Sequence, residues 1–262
     1  PHLNSDFRED DLVENAVFIY DYNNNGYFNS DDYVLFYGES ADEWVYNAST
    51  TLFDYKDHLY SDECYYFLTI DQSSDGKRIN YKPQITNYTR IINSFNDYKF
   101  HESNFENLIE SGRDWYGERF GILDNQTFTF NFPDLVLNYP IYITTSVAAR
   151  SLNSSFFTVN INSDFISNIN ISNIVYDYAT EYAKRMSNTQ SYVSNSDQLD
   201  VELKYNYSEN NAIGWLDRIE LNARRSLRMN TSFLNFRDVE SIGSLELGKF
   251  EILNSNPSTT VW

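Results

Sequence analysis

Apolar and polar residues alternate strictly through residues 199–207, and this pattern restricts the fold more than any other feature of the chain. Successive side chains of a β-strand point to opposite faces of a sheet, so such alternation indicates a strand with one buried face. Residues 127–132 alternate in the same way. The 22 Tyr and 19 Phe residues add to this tendency, because aromatic side chains suit pleated, half-buried surfaces. The sequence therefore predicts an all-β chain.

The second half of the chain contains further segments of strand length, separated by turn residues. They include residues 141–147, 156–161 and 212–221. Many short strands at such spacing are typical of a β-sandwich, which we expect to be jelly-roll-like. We place the domain boundary after residue 111, which gives a β-rich N-terminal domain (1–111) and a β-sandwich domain (112–262).

The first half is less regular. Residues 17–20 and 33–37 predict two strands joined by a polar loop, and residues 64–70 predict another strand. Apolar residues fall on one side of a helix over residues 101–110, which predicts a short helix. Residues 174–186 fit either a helix or a strand. We therefore expect two β domains with few short helices.

The chain is strongly acidic, with a formal net charge of −19. Nucleic-acid binding is not expected, because phosphates require a basic surface. Binding to anionic membrane surfaces is disfavoured for the same reason. No apolar run reaches the length of a membrane-spanning helix, so no transmembrane segment is predicted.

The single cysteine, Cys64, excludes a disulfide within the chain and a thiolate metal site. His58 lies six residues before it, which raises the question of a catalytic pair. A nucleophilic cysteine needs a base within hydrogen-bond reach and an oxyanion pocket, and this spacing alone supplies neither. We favour a structural role for both residues. The familiar metalloprotease and serine-hydrolase motifs are also missing from the sequence, which excludes the most easily recognised classes of enzyme.

A polar loop between the first two predicted strands has the spacing of an EF-hand calcium loop. Its oxygen donors fall at the required positions, with Gly26 at the sharp turn: Asp21, Asn23, Asn25, Tyr27, Asn29 and Asp32. Asp32 replaces the longer Glu of the usual last position, so any calcium site is expected to be weak. The alternative is a tight hairpin turn at Asn25–Gly26 without metal. Calcium is the one cofactor that the sequence suggests.

Three ordered stretches resemble the gingipain-like cysteine peptidases, specifically the PorU-type sortases of the type IX secretion system. The first runs from Asp21 to Gly38, continues with Trp44, and has its companion in residues 60–70 and 76–78. The second is Ser-Gly-Arg-Asp-Trp-Tyr-Gly-Glu at residues 111–118. The third covers residues 214–225 and 236–238. Together they extend over most of the chain.

The resemblance implies a part of a surface enzyme of Bacteroidetes-type bacteria. Such an enzyme removes C-terminal sorting domains from secreted cargo and joins the new end to an anionic lipopolysaccharide. Its His/Cys pair lies in a caspase-like domain downstream of the region matched here. We therefore expect a non-catalytic N-terminal part of an exported, outer-membrane-associated protein. Its implied partners are the downstream catalytic domain, outer-membrane secretion-system proteins and secreted cargo.

Two groups of residues are candidates for contact with partners. Arg113, Trp115 and Glu118 form either a binding edge or an interdomain clamp, in which Arg113 is paired internally and Trp115 is packed. Arg224, Arg225 and Arg228 form a local basic cluster in an acidic chain. This cluster suits docking of the catalytic domain or an anionic glycan, unless it is simply an exposed strand end.

A second functional hypothesis comes from a different class of protein. β-Sandwiches with exposed aromatic side chains and a calcium loop commonly bind glycans, which suggests a calcium-dependent carbohydrate-binding module. This suggestion is an analogy from fold alone.

Overall fold

The computed structural model describes residues 12–58, 61, 63–70, 75–83, 86–110, 112, 114–177, 180–241 and 247–261. Contacts divide the chain into two compact units. The first comprises Pro1–Val45 and Tyr55–Thr86, and the second comprises Tyr46–Asp54 and Asn87–Trp262. The domain boundary after residue 111 stays a sequence-based prediction.

The first unit is built around a two-stranded antiparallel ribbon. Its strands are β1 (Val17–Tyr20) and β2 (Tyr33–Phe36), in a register that pairs Val17 with Phe36. A second hairpin follows, formed by β3 (Glu43–Asn47) and β4 (Leu52–Lys56). The tip of this hairpin, residues 46–54, belongs to the second unit.

The strand predicted at residues 64–70 is wrong, because these residues adopt no regular structure. Their apolar run has strand composition, but a strand also needs a neighbour to complete its backbone hydrogen bonds. No such ladder forms here among the residues that the structure describes.

The second unit contains the remaining strands of the described chain. They are β5 (Arg90–Ile92), β6 (Ser94–Glu102), β7 (Glu106–Asn107), β8 (Trp115–Tyr116), β9 (Arg119–Phe120), β10 (Asn125–Asn131), β11 (Ile141–Arg150), β12 (Ser155–Ile161), β13 (Asp164–Ile171), β14 (Lys184–Tyr192), β15 (Gln198–Asn206), β16 (Ile213–Ser226) and β17 (Gly248–Phe250).

Two antiparallel sheets form a β-sandwich in this unit. One sheet has the order β10-β15-β12-β13, and the other has the order β14-β11-β16-β6 with β9 paired to β16. The chain crosses from one sheet to the other after β9, β10, β11, β13, β14 and β15, as in a jelly roll. The prediction of an all-β chain containing a β-sandwich is confirmed.

The core lies between these two sheets and follows from the period-two pattern of their strands. In β15, the alternate residues Leu199, Val201, Leu203 and Tyr205 are all buried in it. The Phe157 ring lies 4.7 Å from Tyr205 and 5.1 Å from Phe120, measured between ring centroids. Burial of each large apolar side chain stabilises the fold by roughly 1.5–3 kcal/mol.

The structure corrects one helix expectation and decides a second segment that fitted either a helix or a strand. The helix predicted over residues 101–110 is wrong, because β6 extends to Glu102 to pair with β16 and β7 follows at Glu106. For residues 174–186 the strand alternative holds from Lys184, where β14 begins along β11. In both places strand pairing in the sandwich outweighs local helical periodicity.

A single turn of 3₁₀-helix, Val239–Ser241, is the only helical segment of the described residues. No helix in this part of the chain is long and apolar enough to cross a membrane.

Replacement of Gly214 by Ala should destabilise the sandwich. A Cβ atom at this position would lie 2.6 Å from Phe157 Cζ and 3.2 Å from Tyr205 Cδ1. Both rings are held in the core, so we expect the free energy of unfolding to fall by about 1–3 kcal/mol. Urea denaturation of the purified chain measures this change.

Gly121→Ala is the matched control, because its Cβ atom would meet nothing closer than 3.8 Å. This variant should unfold with nearly the same free energy as the parent chain. Equal stability of the two variants would show that the Phe157 ring can move away without cost.

Candidate functional site

The longest strand, β16, presents two buried faces of different chemistry. Ile219, Leu221 and Ala223 point into the apolar core. The positions between them carry the polar face of β16, which we define as Arg218, Glu220, Asn222 and Arg224. The last three of these residues are at most 9% exposed. Buried polar groups require partners, so the contacts of this face identify the segments that cover it.

Arg224 fixes the segment that follows β16. Its Nη1 lies 2.7 Å from Oδ1 of Asp238, whose side chain is completely buried. The guanidinium also donates to Asn96 Oδ1 at 2.9 Å and to the Ser94 carbonyl at 3.1 Å. The described residues offer the Asp238 carboxylate no aligned hydrogen bond, so attraction between the charges holds the pair. The structure thus places this predicted docking residue inside the fold.

Arg225 is engaged with different segments. Its Nη1 lies 2.8 Å from Asp97 Oδ2, and its Nε donates to the Pro133 carbonyl at 2.6 Å. The guanidinium also lies over the Phe95 ring, 5.2 Å from the centroid. Arg224 and Arg225 therefore make internal ion pairs, and their role in docking a partner stays a prediction.

Asn222 holds the tip of the β3–β4 hairpin. Its Oδ1 accepts a hydrogen bond from the Phe53 N–H at 2.7 Å, and its Nδ2 donates to the Phe53 carbonyl at 2.9 Å. The side-chain amide thus acts as a neighbouring strand would, because it satisfies both backbone groups of one residue. Arg237 lies over the Phe53 ring at 5.5 Å and adds a cation–π contact.

At the other end of the polar face, hydrogen bonds join Arg218, Glu220 and Tyr98. Arg218 Nε donates to Glu220 Oε2 at 3.0 Å, and the Tyr98 hydroxyl donates to Glu220 Oε1 at 2.6 Å. Burial and the Glu220 carboxylate raise the pKa of the Tyr98 hydroxyl well above its usual value. Tyr98 therefore stays a neutral donor to Glu220 at physiological pH.

Asp217 is the extra residue of a β-bulge between β11 and β16, where Ser146 pairs with Arg218 and Val147 with Leu216. Burial raises the pKa of its carboxyl, although Arg218 opposes the shift. The ionised carboxylate is therefore less favourable in the folded chain than in the unfolded chain. This cost is present at neutral pH and disappears when the pH falls below the usual pKa of Asp.

The predicted clamp at residues 113–118 is partly described, and Arg113 lies outside the described residues. Trp115 is 43% exposed, whereas the adjacent Tyr116 is buried. Glu118 Oε1 lies 2.9 Å from His101 Nε2. Burial is the largest single influence and opposes ionisation of Glu118, but the hydrogen bond and charge of His101 and a backbone hydrogen bond together outweigh it, so the pKa of the carboxyl is lowered. Glu118 is thus held internally while Trp115 faces solvent, and the choice between clamp and binding edge stays open.

The predicted calcium loop connects β1 to β2 over 12 residues, which is longer than a tight hairpin turn. Asp21 accepts hydrogen bonds from the backbone N–H groups of Asn25 at 3.2 Å and Gly26 at 2.8 Å. Asp32 accepts a hydrogen bond from the Tyr22 N–H at 2.8 Å. Gly26 has a φ of 76°, which a residue with a side chain rarely adopts. The two acidic side chains therefore shape both ends of the loop.

The remaining predicted ligands belong to the same hydrogen-bonded turn. Asn25 Oδ1 accepts from the Tyr27 N–H at 2.7 Å and from Asn29 Nδ2 at 3.3 Å. Asn23 Oδ1 accepts from the Asn25 N–H at 3.2 Å. All the predicted ligand atoms are carboxylate, amide or backbone oxygens, and calcium prefers oxygen ligands of these kinds. It contains two acidic groups, and the described residues gather no cluster of three or more His, Cys, Asp and Glu side chains.

His58 and Cys64 lie in the first unit. His58 Nδ1 accepts a hydrogen bond from the Ser61 N–H at 2.9 Å, and the His58 N–H donates to Asp42 Oδ1 at 3.0 Å. Cys64 is a partly buried free thiol. The local hydrogen bonds of His58 fit a structural role, and the absence of catalysis by this chain stays a prediction.

Sequence reasoning missed most of the polar face of β16. Glu220, Asn222 and Asp238 lie in the third stretch of the family resemblance, but neither they nor Tyr98 were predicted as site residues. The signal was present, because polar residues alternate with apolar ones from Arg218 to Arg224. Such alternation normally indicates a solvated outer face, so burial on that side was not expected.

The fold of this chain is similar to that of PorU from Porphyromonas gingivalis, known from a crystal structure of its dimeric latent form. The TM-score is 0.73 at 20% sequence identity, over 93% of this chain and 22% of the PorU chain. This chain therefore spans about a fifth of the length of PorU. At this identity the likeness establishes a shared fold.

Two carbohydrate-binding modules also match part of the chain. A CBM36 module in complex with calcium and xylotriose has a TM-score of 0.27 and 12% identity, over 50% of this chain and 99% of the module. The CBM36-1 domain of a xylanase from the hindgut metagenome of Trinervitermes trinervoides has a TM-score of 0.31 and 10% identity, over 48% of this chain and 96% of the domain. Both TM-scores are too low to indicate a shared fold.

No protein-family model matches the sequence. No curated protein matches it either.

Removal of the Arg224 charge should strongly destabilise the fold. Arg224→Met leaves the completely buried Asp238 side chain without its cation. We expect the free energy of unfolding to fall by about 3–5 kcal/mol, the usual cost of breaking one side of a buried ion pair. Chemical denaturation followed by circular dichroism measures this loss.

Arg185→Met is the matched control, because Arg185 pairs with Asp114 at a similar distance of 2.7 Å but is 59% exposed. It should cost less than about 1 kcal/mol. Similar losses in the two variants would contradict the importance assigned to burial of the Arg224–Asp238 pair.

Proposed function

We propose that this chain is a non-catalytic supporting region of a gingipain-like cysteine peptidase, similar to the PorU-type sortases that process the sorting domains of type IX secreted cargo. The observation that carries the proposal is the likeness to PorU over 93% of the chain. The ordered sequence motifs at residues 21–78, 111–118 and 214–238 point to the same family. This chain corresponds to 22% of the PorU chain, which leaves room for catalysis elsewhere in a longer protein.

The proposed role is to hold and orient other parts of the machinery. The polar face of β16 supports this role, because it fixes the hairpin tip through Asn222 and the following segment through Arg224. Such buried polar contacts favour a rigid framework over a mobile one. The proposed partners are the catalytic domain of the same protein, outer-membrane secretion proteins and secreted cargo. The corresponding location is the cell surface after export.

We also propose that the loop of residues 21–32 binds calcium. Asp21, Asn23, Asn25, Asn29 and Asp32 would supply side-chain oxygens, and Tyr27 would supply its carbonyl. Bound calcium would neutralise two carboxylates and hold the ends of β1 and β2 together. With two acidic ligands the affinity should be low, with a dissociation constant on the order of 10⁻⁴–10⁻³ M.

The supporting role is tested with the purified chain and with the remainder of its gene product, made separately. The chain alone should cleave no peptide substrate, and Cys64→Ala should change nothing. The two parts should associate in a pull-down, and an unrelated acidic β-sandwich protein serves as control. Hydrolysis that is lost on Cys64→Ala would overturn the non-catalytic role.

Association of the two parts tests the supporting role more directly than the cleavage assay does. Failure of the two parts to bind, together with a gene that encodes no caspase-like His and Cys residues, would remove the peptidase proposal. Calcium-dependent hits on a glycan array would then favour the carbohydrate-binding alternative.

The calcium proposal is tested by isothermal titration calorimetry. Asp32→Asn should abolish measurable binding, because it removes one of two charged ligands. Asp31→Asn is the matched control: it removes the same charge one position away, at a residue outside the ligand set. Equal weakening by both variants would indicate a diffuse effect of charge and no site.

A further inference from the structure

The ribbon formed by β1 and β2 is apolar on both faces. Its strands read Val-Phe-Ile-Tyr and Tyr-Val-Leu-Phe, without a polar residue in either. Continuous apolar runs are typical of strands that are buried on both sides. Ile19 and Phe36 are nevertheless 42% and 47% exposed on one face, and Tyr33 and Leu35 are 45% and 40% exposed on the other. The residues of the ribbon are therefore of the types found in strands at the centre of a sheet, but their side chains are as exposed as those of a strand at its edge.

Its two edges differ. Along β1, the Val17 N–H donates to the Lys77 carbonyl at 3.0 Å, and the Ile79 N–H donates to the Val17 carbonyl at 2.9 Å. The outer edge of β2 has no backbone partner in the part of the chain that the structure describes. Proteins usually protect such an edge with Lys, Pro or a bulge. β2 contains none of these.

Two contacts hold β2 against β1. Asp32, directly before β2, accepts a hydrogen bond from the Tyr22 N–H, which follows β1. The Tyr20 and Tyr33 rings stack at 4.7 Å across the pair. A partner would therefore lose little free energy in ordering this strand, because its extended shape exists before binding.

Charge indicates the chemistry of the partner. The first unit carries 16 Asp and Glu residues against 5 Lys and Arg, a net charge of −11 out of −19 for the whole chain. A basic partner would be attracted to such a surface, and an acidic one would be repelled. Residues 1–11 hold four acidic residues and one Arg, and a second copy would bring the same negative charge. Both are poor electrostatic matches for this edge.

We propose that the open edge of β2 receives an extended segment of a partner protein that carries Lys or Arg, as an added β-strand. Backbone hydrogen bonds along residues 33–36 would supply affinity, as in other cases of strand addition. Apolar side chains of the partner would cover Tyr33 and Leu35, and its basic side chains would be attracted by the net negative charge of the first unit. This interaction does not depend on the peptidase relationship proposed above.

The probe is a short capped peptide in which Lys and Val alternate, titrated into the whole chain by fluorescence anisotropy. It should bind, and added salt should weaken the binding because exposed charges contribute. Two matched peptides are controls. Replacement of Lys by Glu should abolish binding through repulsion, and a central Val→Pro change should abolish it by removing a backbone donor.

Amide hydrogen exchange locates the contact in the unmodified protein. The Lys-Val peptide should slow exchange at residues 33–37, and the Pro-containing peptide should not. Leu35→Asn should weaken binding about fivefold through lost apolar burial. Leu123→Asn should leave binding unchanged, since Leu123 is 69% exposed in a loop of the other unit.

Several results would overturn the proposal. Equal binding of the Glu or Pro peptide would show that neither charge nor strand pairing governs the contact. Protection of residues 33–37 before any peptide is added would show that the edge is already paired. Dimerisation that competes with the peptide would assign the edge to a second copy of the chain.

Discussion

The fold of the second unit depends on a strand that is buried on both sides. One face of β16 packs into the sandwich core through Ile219 and Leu221. The other face carries charge and amide groups, and burial of those groups is tolerable only where each finds a partner. Arg224 finds Asp238, and Asn222 finds the backbone of Phe53. These contacts hold the β3–β4 hairpin tip and the segment after β16 against the sheet. Ion pairs and hydrogen bonds therefore extend the unit beyond its apolar core.

The first unit follows a different rule. Of its described large apolar side chains, many remain substantially exposed, including those of the β1–β2 ribbon. Its local order comes instead from the polar loop at residues 21–32, where Asp21 and Asp32 bind backbone amides. A small ribbon of two strands buries little surface and is only marginally stable alone. Exposed apolar side chains and concentrated negative charge therefore distinguish this unit from the second.

The sequence predicted the sandwich strands well where one face of the strand is buried and the other is exposed to solvent. β15 illustrates this, since Leu199, Val201, Leu203 and Tyr205 alternate with polar residues in both sequence and structure. Prediction failed where pairing decided the outcome. Residues 101–110 have helical periodicity, yet pairing of β6 with β16 extends the strand to Glu102. Residues 64–70 have strand composition, yet no neighbouring strand among the described residues completes them.

The sequence by itself determined the β class of the chain, its acidity and the polar calcium-like loop, because these follow from residue type and from spacing along the chain. Only the tertiary structure decided which polar residues are buried. Arg224 is a basic residue near other basic residues in the sequence, but in the fold it is the buried partner of Asp238, 14 positions away. A local pattern records which side of a strand is polar. It does not record whether another segment later covers that side, since this depends on contacts between parts of the chain that are distant in sequence.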